Sequence, residues 1–415
     1  MKTNYTRLKI ACYASNVTMS IVGNLSPVLF TTFHSMYGIS FSLLGLLVLI
    51  NFLTQLTVDL AFSFFSHKFN ISLAVKLTPY LGILGMLIYA LFPFFFPAHT
   101  YAGLVIGTVI FSAASGFNEV LISPVIAAIP ADDPDREMSK LHSVYAWGVV
   151  AIIIIATLFL FAFGNENWQY LALIFTLVPI AAAILFSGVE IPHMQTAEKI
   201  SGVFSFLKNK TLWLCVAAIF LGGAAECTMA QWVSGYLEQA FGIHKVSGDI
   251  FGAALFALAL GTGRTLYSKI GKNITKVLFL GALGASFCYL TAALTNIPFI
   301  GLFACAFTGF CTSMLWPGNL IVASDKFPAG GVFLYAMMAA GGDFGAAIGP
   351  QLVGIVTDAV ILNAESIPNI GSLSPDSIGM KLGILVGMIF PLIAVFIFFK
   401  MMKDKKKQET LKGSV

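Results

Sequence analysis

The chain has 415 residues, of which 58% are hydrophobic and 10% are charged, and its formal net charge is +4. A soluble domain would be about one quarter charged, so the composition excludes a soluble globular protein and predicts a polytopic membrane protein. The small positive net charge reflects basic residues concentrated in the loops expected on one side of the membrane, as described below. It gives no support for a nucleic-acid partner.

Apolar stretches of about 20 residues follow one another along the chain, separated by short polar breaks. Because these stretches are continuous rather than alternating, they predict helices and not the strands of a membrane barrel. We therefore expect an all-α polytopic membrane protein with 12 transmembrane helices, named here spans 1 to 12. The predicted centres are Val22, Thr54, Ile83, Ser115, Ile153, Phe175, Ala225, Ala259, Ala285, Cys311, Phe344 and Val386.

The basic residues predict the orientation of the chain. All Lys and Arg residues except Lys245, Arg264 and Lys381 precede span 1, follow span 12 or join an even-numbered span to the next span. Translocated loops are poor in positive charge, so these segments and both termini are expected in the cytoplasm. The basic start of the chain imitates a signal peptide, but the apolar run over 11–33 is too long for one.

A polar break after span 6 divides the spans into two sets of six. We predict an N-terminal six-helix bundle over 1–189, a cytoplasmic linker over 190–209, a C-terminal six-helix bundle over 210–402 and a basic cytoplasmic tail over 403–415. The loop after span 2, Ser-His-Lys-Phe-Asn-Ile-Ser over 66–72, is similar to the loop after span 8, Ser-Lys-Ile-Gly-Lys-Asn-Ile-Thr over 268–275. This repeat predicts that the two bundles are pseudo-symmetric.

Together these features resemble the major facilitator superfamily, whose loops after spans 2 and 8 carry a Gly-x-x-x-Asp-x-x-Gly-Arg/Lys motif. The second copy, from Gly263 to Lys272, fits this motif apart from Ser268, whereas the first copy has Ser66 and Asn70 at its acidic and glycine positions. The resemblance implies the major facilitator fold, with a substrate bound near the midplane between the two halves and reached alternately from each side.

Within the superfamily, the chain resembles the fucose/proton symporter group and its bacterial relatives over five segments. These are 223–232 with Tyr236, 141–148, Gly263 with Arg264, 316–328 and 341–350. The resemblance implies a sugar permease of the bacterial inner membrane, and Glu119 corresponds to the group's acidic residue in span 4 that is tied to proton coupling. The group's acidic residue in span 1 has no match, since span 1 offers Asn24, which carries no proton.

Three carboxylates lie deep in the predicted spans. A helical rise of 1.5 Å per residue puts Glu226 roughly 24 Å from Lys210 and Asp343 roughly 25 Å from Lys326, and it puts Glu119 deep in the cytoplasmic half. A charged side chain at the bilayer centre costs about 2.5–3.5 kcal/mol, so it is seldom there without a use or a partner. We predict that all three couple transport to protons. The alternatives are substrate contact, for Glu119 and Glu226, and a structural acid held by hydrogen bonds or by a basic partner.

Asp59 completes an i, i+4, i+8 series with Asn51 and Gln55, which predicts one polar face of span 2. It lies nearer the cytoplasm than the membrane centre. We therefore expect a gating or packing role for Asp59.

Arg264, Lys269 and Gly271 belong to the motif after span 8, and the resemblance implies gating or structural roles for them. Arg264 is close enough to the end of its span to extend its charged group toward water. A salt bridge from Arg264 to Asp343 or to Glu226 is the other arrangement that would relieve the insertion costs of both partners.

Amides and aromatic rings suit sugars, because amides bind hydroxyl groups and aromatic faces cover C–H surfaces. On this chemistry, one set of deep residues is predicted to bind substrate: Asn24, Gln55, Asn118, Trp147, Gln231, Trp232, Trp316 and Asn319. In span 10, spacings of 4, 3 and 4 put Thr312, Trp316, Asn319 and Ala323 on one helical face.

The sequence thus predicts a monomeric secondary active transporter for a small neutral polar solute, with a monosaccharide or related compound as substrate and protons as the coupling ion. The alternatives are a multidrug or metabolite exporter, a sodium-coupled permease of the same fold and, less favoured, a non-transporting receptor. Surrounding lipids are the other expected partner. The chain has no phosphate-binding loop, nucleophile elbow or metal-spaced His/Cys set, so we expect no enzyme activity, no metal and no cofactor.

Overall fold

The computed structural model describes residues 5–65, 70–130, 134–192, 208–327, 331–363 and 373–412, and within them the regular structure is helical. Each predicted span centre lies in a helical span. Eleven of the spans, 2 to 12, are long and apolar enough to cross a membrane. Span 1 is also a long helix, but Ser15, Asn16, Thr18, Ser20 and Asn24 make it more polar than the others. The prediction of an all-α polytopic membrane protein is confirmed.

The first six spans have the following bounds. They are Tyr5–Val28 with Phe30–Tyr37 (span 1), Phe41–Phe65 (span 2), Ile71–Phe95 (span 3), Thr100–Ala127 (span 4), Pro134–Phe163 (span 5) and Trp168–Phe186 (span 6).

Among the second six spans, spans 8, 10 and 12 are not continuous α-helices. The second six spans have the following bounds. They are Lys210–Phe241 (span 7), Lys245–Ser247 with the π-helical turn Gly248–Ala254 and Leu255–Ile270 (span 8), Ile274–Leu294 (span 9), Pro298–Thr312 with Pro317–Lys326 (span 10), Gly331–Leu362 (span 11) and Pro375–Gly387 with Ile389–Lys412 (span 12).

The chain divides into two compact units. The first unit comprises Met1–Ile39 and Leu46–Ser201, and the second comprises Ser40–Gly45 and Gly202–Val415. Most of the predicted linker over 190–209 lies outside the described residues, and the last helix continues to Lys412, into the predicted tail. The exact domain bounds therefore stay predictions.

The first turn of span 2 belongs to the second unit, and Asp358 of span 11 holds it. The Asp358 carboxylate accepts hydrogen bonds from the backbone N–H groups of Phe41 at 3.0 Å and Ser42 at 2.8 Å. These N–H groups have no partner within their own helix, and a carboxylate also suits the positive end of the helix dipole. The Phe41 ring packs against Trp232, with ring centroids 6.1 Å apart.

The two similar loops noted in the sequence begin the next helix in the same way. The Asn70 side chain accepts a hydrogen bond from Leu73 N at 3.0 Å at the start of span 3. Asn273 does the same with Lys276 N at 3.4 Å at the start of span 9. Asparagine is a favoured N-cap residue, so the shared Asn-Ile-Ser/Thr sequence has a structural meaning in each unit.

In the second unit, spans 7 and 11 approach closely along a row of glycines. A Cβ atom on Gly345 would overlap the Phe220 carbonyl oxygen, and one on Gly349 would overlap the Thr228 hydroxyl. Glycines spaced four residues apart let two membrane helices pack backbone to backbone. This packing positions the polar residues of spans 7 and 11 described below.

Replacing Gly345 with alanine is therefore expected to lower the stability of the second unit. The added methyl group forces spans 7 and 11 apart, and overpacking of this kind costs about 1–3 kcal/mol. Gly261→Ala is the matched control, since nothing lies within 4 Å of a Cβ atom at Gly261. Thermal denaturation in detergent should show a lower melting temperature for Gly345→Ala and an unchanged or higher one for Gly261→Ala; equal melting temperatures would contradict the packing argument.

Candidate functional site

A ladder of amide and hydroxyl groups joins spans 2 and 4 in the first unit. Gln55 Nε2 donates to Asn51 Oδ1 at 3.1 Å, and Ser112 Oγ donates to the same oxygen at 2.5 Å. One turn further along, Ser115 Oγ donates to Gln55 Oε1 at 2.8 Å. The polar face predicted for span 2 thus contacts a polar face of span 4.

Two carboxylates continue this ladder. Asp59 is one helical turn beyond Gln55, Glu119 is one turn beyond Ser115, and a carboxylate oxygen of one lies within 4.8 Å of a carboxylate oxygen of the other. Asp59 is 4% exposed, whereas Glu119 is exposed. Two ionised carboxylates this close repel each other, so the pair is suited to hold a single cation, such as one proton, between its oxygens.

Spans 1 and 4 carry a second polar group in the first unit. Asn118 Nδ2 donates to the Ser15 carbonyl at 3.4 Å, while Asn118 Oδ1 and Ser15 Oγ are buried without a hydrogen-bond partner in the structure. Asn24 is half-buried, and its Nδ2 donates to the Ser20 carbonyl of its own helix at 2.9 Å. Asn118 therefore has a buried acceptor oxygen to offer to a ligand.

In the second unit, Arg264 forms an ion pair with Glu226. Arg264 Nη2 lies 3.0 Å from Glu226 Oε1 and 3.2 Å from Oε2. The Glu226 side chain is 13% exposed and the Arg264 side chain 41%. Of the two partners that the sequence left open for Arg264, the structure selects Glu226.

Arg264 also binds the backbone where span 10 is interrupted. In a continuous helix, the Ser313 carbonyl would accept from the backbone nitrogen four residues later, but that residue is Pro317, which has no N–H group. Arg264 Nε donates to this carbonyl instead, at 3.1 Å. The arginine therefore joins an acidic residue of span 7 to the break in span 10.

The interruption corrects the predicted periodicity of span 10. The first helix ends at Thr312 and the next begins at Pro317, so Thr312 and Trp316 do not belong to one continuous helix with Asn319. Proline at 317 is the cause, and it was visible in the sequence. The four residues cannot be assigned to one face from their spacing alone.

Trp316 packs onto the glycines of spans 7 and 11. A Cβ atom on Gly342 would lie 2.5 Å from the Trp316 ring, and one on Gly223 would lie 3.0 Å from it. Asp343, which is 4% exposed, directly follows Gly342. Asn319 donates to the Leu315 carbonyl at 2.6 Å, and its Oδ1 is buried without a hydrogen-bond partner in the structure.

Five further predicted residues have the following environments. Trp232 is fully buried, and its indole N–H donates to the Pro350 carbonyl at 2.8 Å. Trp147 is 67% exposed, and Gln231 is 8% exposed. Lys269 and Gly271 are exposed at the end of span 8.

Sequence reasoning did not identify several members of these groups. Ser112 and Ser115 give only a weak signal, because hydroxyl groups in membrane helices usually bind their own backbone. The sequence did not show that Asp59 and Glu119 are close together, since spacing along the chain cannot pair residues on different helices. The sequence signal for the Ser313 carbonyl was Pro317, which lacks the N–H group that would bind this carbonyl in a continuous helix.

Comparisons with known proteins agree with this architecture. The sequence model of the Major Facilitator Superfamily matches residues 11–350. A search of curated proteins finds no match.

Among solved structures, the chain is similar to a bacterial homologue of the human lysosomal transporter Spinster, in an inward-facing and occupied conformation. The identity is 15%, the TM-score is 0.72, and the match covers 97% of this chain and 98% of that one. It is similar to a D323A mutant of the nucleoside transporter NupG, with 12% identity, a TM-score of 0.74 and coverage of 95% and 99%. It is also similar to the xylose transporter XylE from E. coli, with 13% identity, a TM-score of 0.69 and coverage of 92% and 95%. At these identities the likeness shows the fold alone.

Proposed function

The chain belongs to the major facilitator superfamily, and we propose that it is a secondary active transporter that moves a small neutral polar solute by alternating access with proton coupling. The family and the structural neighbours point to a transporter rather than an enzyme. The proposed solute is a monosaccharide or a related compound. The proposed location is the bacterial inner membrane, with both termini in the cytoplasm and the protein as a monomer.

The carboxylate pair of Asp59 and Glu119 is the observation that carries the proposal. One oxygen of each carboxylate lies within 4.8 Å of an oxygen of the other, at the end of a hydrogen-bonded polar ladder in a membrane-spanning bundle. Binding one proton removes the repulsion between the two charges, and releasing it restores the repulsion. Glu119 is exposed and Asp59 is buried, so we assign proton exchange to Glu119 and the role of its partner to Asp59.

The second unit supports a neutral solute. The charge of Arg264 is balanced by Glu226, so Arg264 does not offer an uncompensated positive charge to an anionic substrate. Glu226 and Asp343 remain proposed coupling residues of this unit. The amide oxygens of Asn118 and Asn319 are buried acceptors suited to sugar hydroxyl groups, and the Trp316 ring is suited to a sugar's C–H surface.

Of the other predicted substrate residues, Asn24, Gln55 and Gln231 stay in the proposal as amides that bind hydroxyl groups. Trp147 and Trp232 are not used: one is largely exposed, and the other is fully buried with its indole N–H already bound. Arg264, Lys269 and Gly271 keep the proposed gating or structural roles.

Sodium coupling is the second candidate, because carboxylate and amide oxygens are also ligands for hard cations. An exporter and a non-transporting receptor are the further alternatives. These four possibilities differ in the coupling ion, in the direction of solute movement or in whether the solute moves at all. They are therefore separable in one transport assay.

The purified protein should first be screened by thermal shift against a panel of sugars, polyols, nucleosides and other metabolites. Each ligand that raises the melting temperature is then tested in proteoliposomes under an inward proton gradient, an inward sodium gradient or no gradient. The proposal expects a neutral polyhydroxylated ligand, uphill uptake with the proton gradient alone, and counterflow without a gradient.

Asn319→Ala should weaken the thermal shift in that screen, and Asn363→Ala is the amide-matched control because Asn363 is exposed at the end of span 11. Losing one good hydrogen bond to the solute lowers affinity by about tenfold, since about 1.5 kcal/mol is at stake. Ligand binding without counterflow would favour a receptor. Uptake driven only by sodium, or ligands that are all apolar, would refute the proposal.

A further inference from the structure

A long groove lies on the first unit, among spans 1, 5 and 6, and the proposed transport function does not use it. Its volume is about 820 Å³. Ile152 and Phe175 are buried at its floor, whereas Trp147, Ile155 and Ile174 are exposed at its rim. Such a lining suits a hydrocarbon chain rather than a polar solute.

One end of the groove is polar and basic. Lys140 lines this end, and its Nζ lies 2.7 Å from Glu137 Oε1. Lys9 Nζ lies 2.9 Å from the other oxygen of the same carboxylate. Two lysines thus share one acid and leave one net positive charge, and the Lys140 side chain is 50% exposed.

The shared carboxylate stays ionised over a wide pH range. Hydrogen bonds from Lys140 and from Lys9 lower the pKa of Glu137 to about 2. The net charge of the three residues is therefore +1 near neutral pH and does not depend on protonation of Glu137. An anion at this end would meet a fixed positive charge.

The length of the groove matches one leaflet of a bilayer. Lys140 and Ile155 line its two ends on span 5, and 15 residues of helix extend about 22 Å. A bilayer with its headgroup regions is about 40–45 Å thick, so one leaflet is about 20–22 Å. A phospholipid with its phosphate beside Lys140 would place its acyl chain along the whole groove.

We propose that this groove binds one anionic phospholipid, with the headgroup phosphate on Lys140 and an acyl chain against Trp147, Ala151 and Ile155. The apolar lining selects a lipid, and the net positive charge at the polar end selects an anionic headgroup. Trp147 then has a role at the groove rim, where its ring covers the chain. The inference stands independently of which solute the protein transports.

Quenching of Trp147 fluorescence by brominated lipids tests the proposal. The full-length protein is placed in phosphatidylcholine bilayers that contain a small fraction of either phosphatidylglycerol or phosphatidylcholine with a brominated acyl chain. The signal of Trp147 is the difference between the wild-type protein and Trp147→Phe. We expect brominated phosphatidylglycerol to be enriched at Trp147 by about fivefold over brominated phosphatidylcholine, which corresponds to about 1 kcal/mol for one basic residue.

Two variants separate the headgroup from the chain. Lys140→Gln should abolish the preference for phosphatidylglycerol, while Lys272→Gln, an equal change of charge at an exposed position in the second unit, should leave it intact. Ala151→Phe fills the groove and should reduce quenching by both lipids. All of these positions are exposed, so unchanged melting temperatures are expected and serve as the folding control.

Unbrominated phosphatidylglycerol should restore Trp147 emission, and free glycerol phosphate should not. Equal quenching by the two lipids in the wild-type protein would overturn the proposal. So would a preference for phosphatidylglycerol that survives in Lys140→Gln.

Discussion

Replacing Glu119 with glutamine is expected to abolish uphill solute uptake driven by a proton gradient while leaving solute counterflow within about twofold of wild type. Glutamine keeps the shape and hydrogen bonding of the side chain, but it cannot release a proton. With one proton per solute, a gradient of one pH unit supports about tenfold accumulation, because 1.36 kcal/mol corresponds to a factor of ten. Uptake and counterflow in the same proteoliposomes measure this difference.

Asp59→Asn is the matched comparison, because it removes the other carboxylate of the pair. The variant removes one negative charge that lies within 4.8 Å of the Glu119 carboxylate. We expect the pH dependence of uptake to shift toward lower pH, since a carboxylate relieved of a like charge ionises more readily. An equal loss of uptake and counterflow in Glu119→Gln would instead identify Glu119 as a binding or structural residue.

Replacing Arg264 with glutamine is expected to destabilise the protein, and adding Glu226→Gln is expected to restore part of the loss. The single variant leaves the Glu226 carboxylate without its partner at membrane depth and deprives the Ser313 carbonyl of its donor. Breaking a fully buried pair costs about 3–5 kcal/mol. Because the Arg264 side chain is 41% exposed, we expect about 1–3 kcal/mol here.

Thermal and denaturant unfolding in detergent measure this effect as a double-mutant cycle. If the two side chains are coupled, the double variant is less destabilised than the sum of the single variants. Lys272→Gln provides the control for loss of one positive charge at an exposed site. Additive losses in the cycle would show that the ion pair contributes nothing to stability.

These two sets of variants also separate the roles of the two units. Glu119→Gln should remove proton coupling with little change in melting temperature, because Glu119 is an exposed residue. Glu226→Gln should change the melting temperature, because its carboxylate is held by Arg264 at 3.0 Å. The opposite pattern of melting temperatures would contradict both expectations.

The spans could be predicted almost completely from the sequence. Long apolar stretches satisfy their backbone hydrogen bonds within each helix, so crossing the membrane is a local property of about 20 residues. The caps at Asn70 and Asn273 are local as well, because each side chain binds a backbone group three residues away. Pro317 indicated the break in span 10. The hydrogen bond that Arg264 makes at this break could not be predicted, because Arg264 lies on another helix.

The position of each candidate residue along its helix could also be predicted, since it follows from counting residues. The direction in which each side chain points could not. In a membrane helix, both the lipid-facing side and the protein-facing side are apolar, so hydropathy carries little information about rotation of the helix. Trp147 and Trp232 were both predicted to face a solute, yet one is 67% exposed and the other is fully buried.

The sequence by itself determined the helical class and the span positions, because these depend on residues close together in the chain. Only the tertiary structure decided which polar groups meet: Asp59 with Glu119, and Glu226 with Arg264. The physical reason is that an acid at membrane depth needs a partner, while its identity depends on how neighbouring helices are rotated and packed.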